Sequence, residues 1–373
     1  MRIRIPKRCG SHRRLLVPLV VLILISLALV TLPLFDSNSQ KPLMWHVDPA
    51  QRKLVQSYVQ RVLKEECRPN FTRKALEALL QGGSHLTQPF LWKDTPLTPD
   101  TFRYPPPFGF YGVEDKLQEV LRLLSQPPSD HADDPTQQQD RKQCHRCVVM
   151  GNGGILRGMK LGELIDRFDM VFRLNSGPLG VHTVDVGNRT SFRISYPEGS
   201  PRVWQDLDPS VVFVAVVYKA VDLAWLKAMI TRQAVSLWNW LFFWQNVPDQ
   251  IPVEVNRFRV LNLKLIREVA LDLLHYPDPK PRLWGWDQNV PTLGVTALRL
   301  ASLLCDEVSL AGFGYNLSQQ EAPLHYYDNL SMAAMLQQDM HNVDRERSLL
   351  QSFVRDGSIS DLTGGLHCSF CPS

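Results

Sequence analysis

The sequence predicts an α/β, Rossmann-like layered domain, and three observations carry that expectation. From residue 144 onward, short apolar segments alternate with amphipathic ones, the alternation of strands and helices in a parallel sheet. One segment, Val211 to Val217, is apolar at every position, as a central strand covered on both faces must be. The first apolar segment runs straight into Gly151-Asn152-Gly153-Gly154, a turn whose backbone N–H groups can approach a phosphate or ribose closely.

Taken in order, residues 1–14 carry six basic side chains and no acid. Leu15 to Phe35 is free of charge, and at 1.5 Å per residue it reaches across a hydrocarbon core of roughly 30 Å. It is longer than the apolar region of a cleaved signal peptide and ends without a small-residue cleavage site. The basic cluster before it predicts a cytosolic tail at 1–14 and a signal-anchor helix at 15–35. A stem with stem-proximal helices is expected over 36–100, and a lumenal catalytic domain over 101–373. Within the stem region, Pro49 to Cys67 carries a helical apolar stripe through Leu54, Val55, Tyr58, Val59, Val62 and Leu63. Thr95 to Pro107 is proline-rich and irregular, Gly112 to Gln126 amphipathic, and Pro127 to Asp140 a polar loop.

Strands are expected at Cys147–Met150, Asp169–Leu174, Val211–Val217, Arg257–Leu261 and Glu307–Ala311. Helices are expected through Leu161 to Ile165, at Val221–Ile230, Ile266–Leu274 and Gly294–Cys305.

Composition narrows the function. Of 373 residues, 44% are hydrophobic and 21% charged, enough to bury a core and unlike a disordered or collagenous chain. The net charge of +4 comes from the first 14 residues; the remainder holds 35 basic against 37 acidic side chains, which argues against a nucleic-acid-binding domain. Six of the seven cysteines (67, 144, 147, 305, 368, 371) follow the apolar segment, an even number compatible with disulfides; Cys9 precedes it. Cys144-x-x-Cys147 lacks a neighbouring pair at zinc spacing. Sequons for N-glycosylation stand at Asn70, Asn188, Asn316 and Asn329.

The residues that can carry chemistry are few. A dinucleotide oxidoreductase places an acid at the end of the second strand; here that strand ends in Arg173-Leu174-Asn175, and asparagine offers a sugar or base both a donor and an acceptor. Thr292, before the helix at Gly294–Cys305, can cap it and leave amides for an anion, or act as a cap alone. His325 and His341 are candidates for proton transfer. Asp206-Leu207-Asp208 has the form of a metal-binding D-x-D but sits in a polar turn, and is expected to be solvated loop. The dense aromatic run Trp238 to Trp244 reads either as packed core or as a membrane-interface ridge.

Together these segments resemble the motifs of the eukaryotic sialyltransferases. Cys147-Val148-Val149-Met150-Gly151-Asn152-Gly153-Gly154, Arg173-Leu174-Asn175-Ser176-Gly177-Pro178 and Asp185 through Tyr196-Pro197-Glu198-Gly199 are similar to the large sialylmotif. Pro291-Thr292-Leu293-Gly294 through Cys305 and Gly312-Phe313-Gly314-Tyr315 are similar to the small one. His325-Tyr326-Tyr327-Asp328 resembles motif III, and His341 with Glu346 the very small motif. The match runs over roughly residues 100–365 and favours the α-2,3 branch. Met44 to Pro49, Glu66-Cys67-Arg68-Pro69, Pro106 to Phe110 and Leu241 to Trp244 resemble its lactosylceramide-directed members, whereas Cys368-Ser369-Phe370-Cys371 does not.

The resemblance implies a GT-A variant catalytic domain in the Golgi membrane, with CMP-sialic acid as donor, no cofactor and no metal. The acceptor would be a galactose-terminated glycolipid or other glycan. It further implies that Asn152, Asn175, Thr292, Gly294 and Gly314 bind the donor, that His341 is the general base, and that His325 stabilises the departing phosphate. Cys147 would pair with Cys305, and Cys67 with Cys144.

Overall fold

The computed structural model describes residues 20–24, 47–80, 87–124, 144–279, 289–337 and 340–371. The chain divides into two compact units, Met1–Pro42 and Leu43–Ser373. In the first, residues 20–24 are helical and exposed. The rest of the expected anchor and the whole cytosolic tail lie outside the described residues, as does the 36–46 stretch. Among the described residues no helix is long and apolar enough to cross a membrane.

The second unit is a mixed, mainly parallel α/β sheet with helices on both faces. Its strands are β1 (Phe90–Leu91), β2 (Arg146–Met150), β3 (Met170–Leu174), β4 (Phe192–Ser195), β5 (Val212–Ala215), β6 (Phe258–Leu261), β7 (Glu307–Ala311) and β8 (Ser360–Asp361). Their spatial order is β1-β6-β5-β4-β3-β2-β7-β8. Every neighbouring pair is parallel except β1 with β6. The chain therefore winds outward from β2 to β6, then returns to lay β7 against the other side of β2. That reversal is a topological switch point, and in open α/β sheets ligands bind at the carboxyl ends of the strands there.

Alternation along β2 assigns the two faces. Cys147 and Val149 point into one core; Val148 and Met150 point into the other. The first core is covered by α3 (Glu114–Leu123), α6 (Ala220–Thr231), α8 (Lys264–Glu268) and α9 (Leu293–Leu304). Eleven of the twelve residues of α9 are buried, so this helix is wrapped on all sides; its sequence is mainly apolar, and its one charge, Arg299, is paired with Glu268. The opposite face packs α1 (Pro49–Lys64) through Val55, Val59 and Val62 against Leu156, Leu161 and Ile165. The folded unit thus includes helices α1 and α2 (Phe71–Glu77) of the expected stem, and β1 pairs with the sheet edge.

Short helices α4 (Gly162–Ile165), α5 (Thr183–Val186) and α7 (Leu237–Trp240) fill the connections, and α10 (Val343–Arg355) precedes β8. Disulfides join Cys67 to Cys144, Cys147 to Cys305, and Cys368 to Cys371. The first two are the pairings the resemblance implied; the third closes the terminal C-x-x-C, whose Phe370 stacks on Tyr58 of α1 at 4.5 Å.

One expectation is overturned. Asp206 is not solvated: it is 5% exposed and forms two hydrogen bonds with Arg193, itself 1% exposed on β4. A buried arginine in a central strand needs a carboxylate, and Asp206 supplies it. Asp208, by contrast, is exposed.

Candidate active site

The loops after β2 and β7 are bonded backbone to backbone at the switch point. Gly151 N–H donates to Ala311 O at 2.8 Å and Gly153 N–H to Gly312 O at 3.0 Å. A third segment is laid on the first: Gly154 N–H donates to Leu324 O and Tyr326 N–H to Asn152 O, both at 3.0 Å, which places His325 in a bridge opposite Gly153. Beside these loops lies a cavity of about 380 Å³, within the size range of small-ligand sites. Gly153, Gly154, Ile155, Phe313, Gly314 and Tyr315 are among its walls. Gly314 has φ +96°, and a Cβ there would stand 2.2 Å from Gly365 O, so no other residue fits.

Asn152 and Asn175 meet at the end of β3. Asn152 Nδ2 donates to Leu174 O at 3.3 Å, and Asn175, in the left-handed region at φ +52°, receives Ser195 Oγ on its Oδ1 at 3.3 Å. Arg193 holds this turn from below, donating through Nη1 to both Asn175 O and Gly177 O at 3.0 Å.

His325 donates from Nδ1 to Asp328 Oδ2 at 2.7 Å and stacks flat on Tyr327, with centroids 5.0 Å apart.

Thr292, Glu346 and His341 form the second cluster. Thr292 occupies the N-cap position of α9, but its side chain caps no amide of that helix. Its N–H and its hydroxyl both donate to the Glu346 carboxylate instead. Burial drives Glu346 up to about 7, against the lowering effect of those two bonds. His341 donates from Nδ1 to Val290 O at 2.7 Å, which fixes the tautomer with its lone pair on Nε2. Burial lowers its pKa, so the ring is neutral at neutral pH; the bond to Val290 opposes this weakly. A neutral, oriented imidazole is the form a general base requires.

Phe313 joins the two clusters. A Cβ on Gly294 would stand 2.8 Å from its ring, and one on Gly151 would stand 3.1 Å away. Phe313 and Asp328 stand within the segments similar to the small motif and motif III, but sequence reasoning assigns neither a role.

The remaining predicted positions lie apart. Asn70 is half-buried and donates its N–H to Asp306 Oδ1; Asn316 is half-buried at the cavity rim; Asn188 and Asn329 are exposed. Among the described residues, no three His, Cys, Asp or Glu side chains converge as a metal site.

The model of glycosyltransferase family 29 (sialyltransferase) matches residues 90–358, which contain both clusters. The chain belongs to this sialyltransferase family. Among curated sialyltransferases it is 44% identical over 328 residues to the lactosylceramide alpha-2,3-sialyltransferase of Homo sapiens, covering 88% of this chain and 77% of that one. It is 34% identical over 307 residues to the human CMP-N-acetylneuraminate-beta-1,4-galactoside alpha-2,3-sialyltransferase, covering 80% and 77%. The fold matches that of a mammalian sialyltransferase crystallised with Gal-beta-1-3GalNAc-ortho-nitrophenol, with a TM-score of 0.58 at 22% identity, over 79% of this chain and 98% of that one.

Proposed function

We propose that this sialyltransferase moves sialic acid from CMP-sialic acid to the 3-hydroxyl of a terminal galactose with inversion, and that its acceptor is lactosylceramide. The observation that carries the chemistry is the His341 tautomer: Nδ1 is committed to Val290 O, so Nε2 takes the proton of the attacking hydroxyl. Asn152 and Asn175 position the donor, with Thr292, Gly294 and Gly314 contacting its cytidine side. His325, held by Asp328, stabilises the departing phosphate. The leaving group carries one phosphate, so a histidine and backbone amides suffice without a cofactor or metal. The 44% identity to a lactosylceramide enzyme supports the acceptor. Transfer to galactose of glycoproteins or other glycans is the second reading, favoured by the 34% relatives.

In this reading the domain is a GT-A variant held in the Golgi membrane by residues 15–35, with a cytosolic tail at 1–14 and a stem leading to a lumenal catalytic region. The exposed sequons Asn188 and Asn329 are accessible to glycosylation, and Asn70 and Asn316 less so. The test is an acceptor panel with labelled CMP-sialic acid. Lactosylceramide should be the best substrate, with the label lost on α-2,3-specific sialidase treatment; a glycoprotein outranking it would favour the second reading.

A further inference from the structure

Residues 233–248 contain no charged side chain, yet much of the segment faces outward. Leu237 is 88% exposed, Trp238 70%, Leu241 69%, Phe242 58% and Trp244 70%, with Trp240 at 43%. Together they expose on the order of several hundred Å² of contiguous apolar surface, as much as the largest patch of a typical soluble monomer. The segment is not loose. Ser236 caps α7 by accepting from Asn239 N–H, and Trp238 meets Phe242 edge to face at 6.1 Å. Val235 and Phe243 point inward and pack against the core, so the outward residues form a ridge pinned at both ends.

Two further features say what the ridge faces. Its flank carries a net positive charge: Lys116 and Lys227 line the same groove as Ser236 and Asn239, Lys227 is paired with Glu119 of that groove, and Arg232 stands exposed one turn before. Its foot lies at the carboxyl end of β4, in the sheet that carries the site. Gln245 Nε2 donates to Glu198 O, and Lys219 Nζ lies 4.9 Å from the Phe243 ring centroid while bonding Glu198. Glu198 belongs to the turn that leaves β4, whose Ser195 bonds Asn175.

We propose that the Leu237–Trp244 ridge is a membrane-docking surface, which inserts its indole and aliphatic side chains into the interfacial layer of a bilayer. Tryptophan suits that layer because its ring is apolar and its N–H stays near water, and a basic flank complements lipid phosphates. A single ridge binds weakly and reversibly, which suits an enzyme that must approach a short glycolipid head and then release it. Docking itself does not depend on the acceptor assigned above; its catalytic consequence does.

The test uses the full chain reconstituted in vesicles of phosphatidylcholine and phosphatidylserine whose acyl chains carry bromine, comparing wild type with the Trp238→Ser/Trp244→Ser variant. Bromolipid should quench wild-type fluorescence, and the variant should lose about a third or more of that quenching. Its transfer to bilayer lactosylceramide should fall about five- to tenfold while transfer to soluble lactose stays within about twofold. Leu241→Glu should reduce quenching as well and serves if the double variant does not fold. Quenching equal in wild type and variants overturns the proposal, as does a wild-type dimer that the variants dissolve with quenching unchanged. Wild type that ignores lactosylceramide in detergent, with the quenching difference intact, rejects the acceptor reading and leaves the docking surface standing.

Discussion

Asp206 grips Arg193 through two hydrogen bonds, Oδ1 to Nη2 at 2.7 Å and Oδ2 to Nε at 2.9 Å, with both side chains sealed from solvent. The same arginine holds the carbonyls of Asn175 and Gly177, so the pair supports the turn proposed above to bind the donor. Asp206→Ala should therefore cost about 3–5 kcal/mol of stability, because it strands a buried guanidinium. A thermal melt reads this directly. Activity lost in Asp206→Ala but restored by added manganese would contradict the structural role. Asp208→Ala, at an exposed position, should change stability by less than about 0.5 kcal/mol.

His341→Ala should reduce transfer on the order of 10²–10⁴-fold while leaving CMP affinity nearly unchanged. Since burial holds the His341 pKa below its ordinary 6.5, wild-type kcat should fall only as pH drops through that lower value. Equilibrium CMP binding and a pH–rate profile together check the assignment; an acid limb that survives in His341→Ala would move the base elsewhere.

Glu346 makes stability depend on pH. Its pKa rises from 4.5 unfolded to about 7 folded, so the folded state holds a proton that the unfolded chain releases. This contribution is fully present below pH 4.5 and is lost as pH rises through about 7, a change on the order of 3 kcal/mol. Glu346→Gln can still accept from Thr292 N–H and donate to its hydroxyl. It should flatten the pH dependence of denaturant midpoints between pH 5 and 8.

Cys147→Ser should destabilise strongly. The Cys147–Cys305 bridge spans 158 residues and ties β2 to the end of α9, both ends fully buried. The chain-entropy relation gives up to ~5 kcal/mol for a loop of this size. Non-reducing peptide mapping that recovers Cys147 alkylated from the native protein would refute the pairing.

Metal removal should be silent in the proposed mechanism. Transfer measured after EDTA should match the untreated rate within about twofold, since the leaving group carries a single phosphate. Loss on chelation, reversed by manganese, would require a metal-assisted departure.

What could be read from the sequence follows from how each element is buried. β5 is apolar throughout and α9 mostly so because they are covered all round, and both were legible. β4 was not: Arg193 breaks the apolar run, and only Asp206, 13 residues later, makes its burial tolerable. β1 and β8 are two residues each, too short for a period to show. At the site, the asparagines and histidines were visible as residue types, and the resemblance gave their roles. The pairing of Thr292 with Glu346 was hidden because it joins residues 54 apart, and the hydroxyl expected to cap α9 turns to that carboxylate instead.

The interlocked glycine turns have a consequence for anyone wishing to change which nucleotide sugar is used. A Cβ at Gly151 or Gly153 would sit 2.4 or 2.6 Å from Gly312 O, so neither position can be recruited to recognise a new base. The floor of the cavity is closed to variation. A saturation library aimed at donor preference should leave that floor untouched and randomise Ile155 and Gln319, wall positions outside the buried core where alternatives can be sampled without disturbing the strand ends.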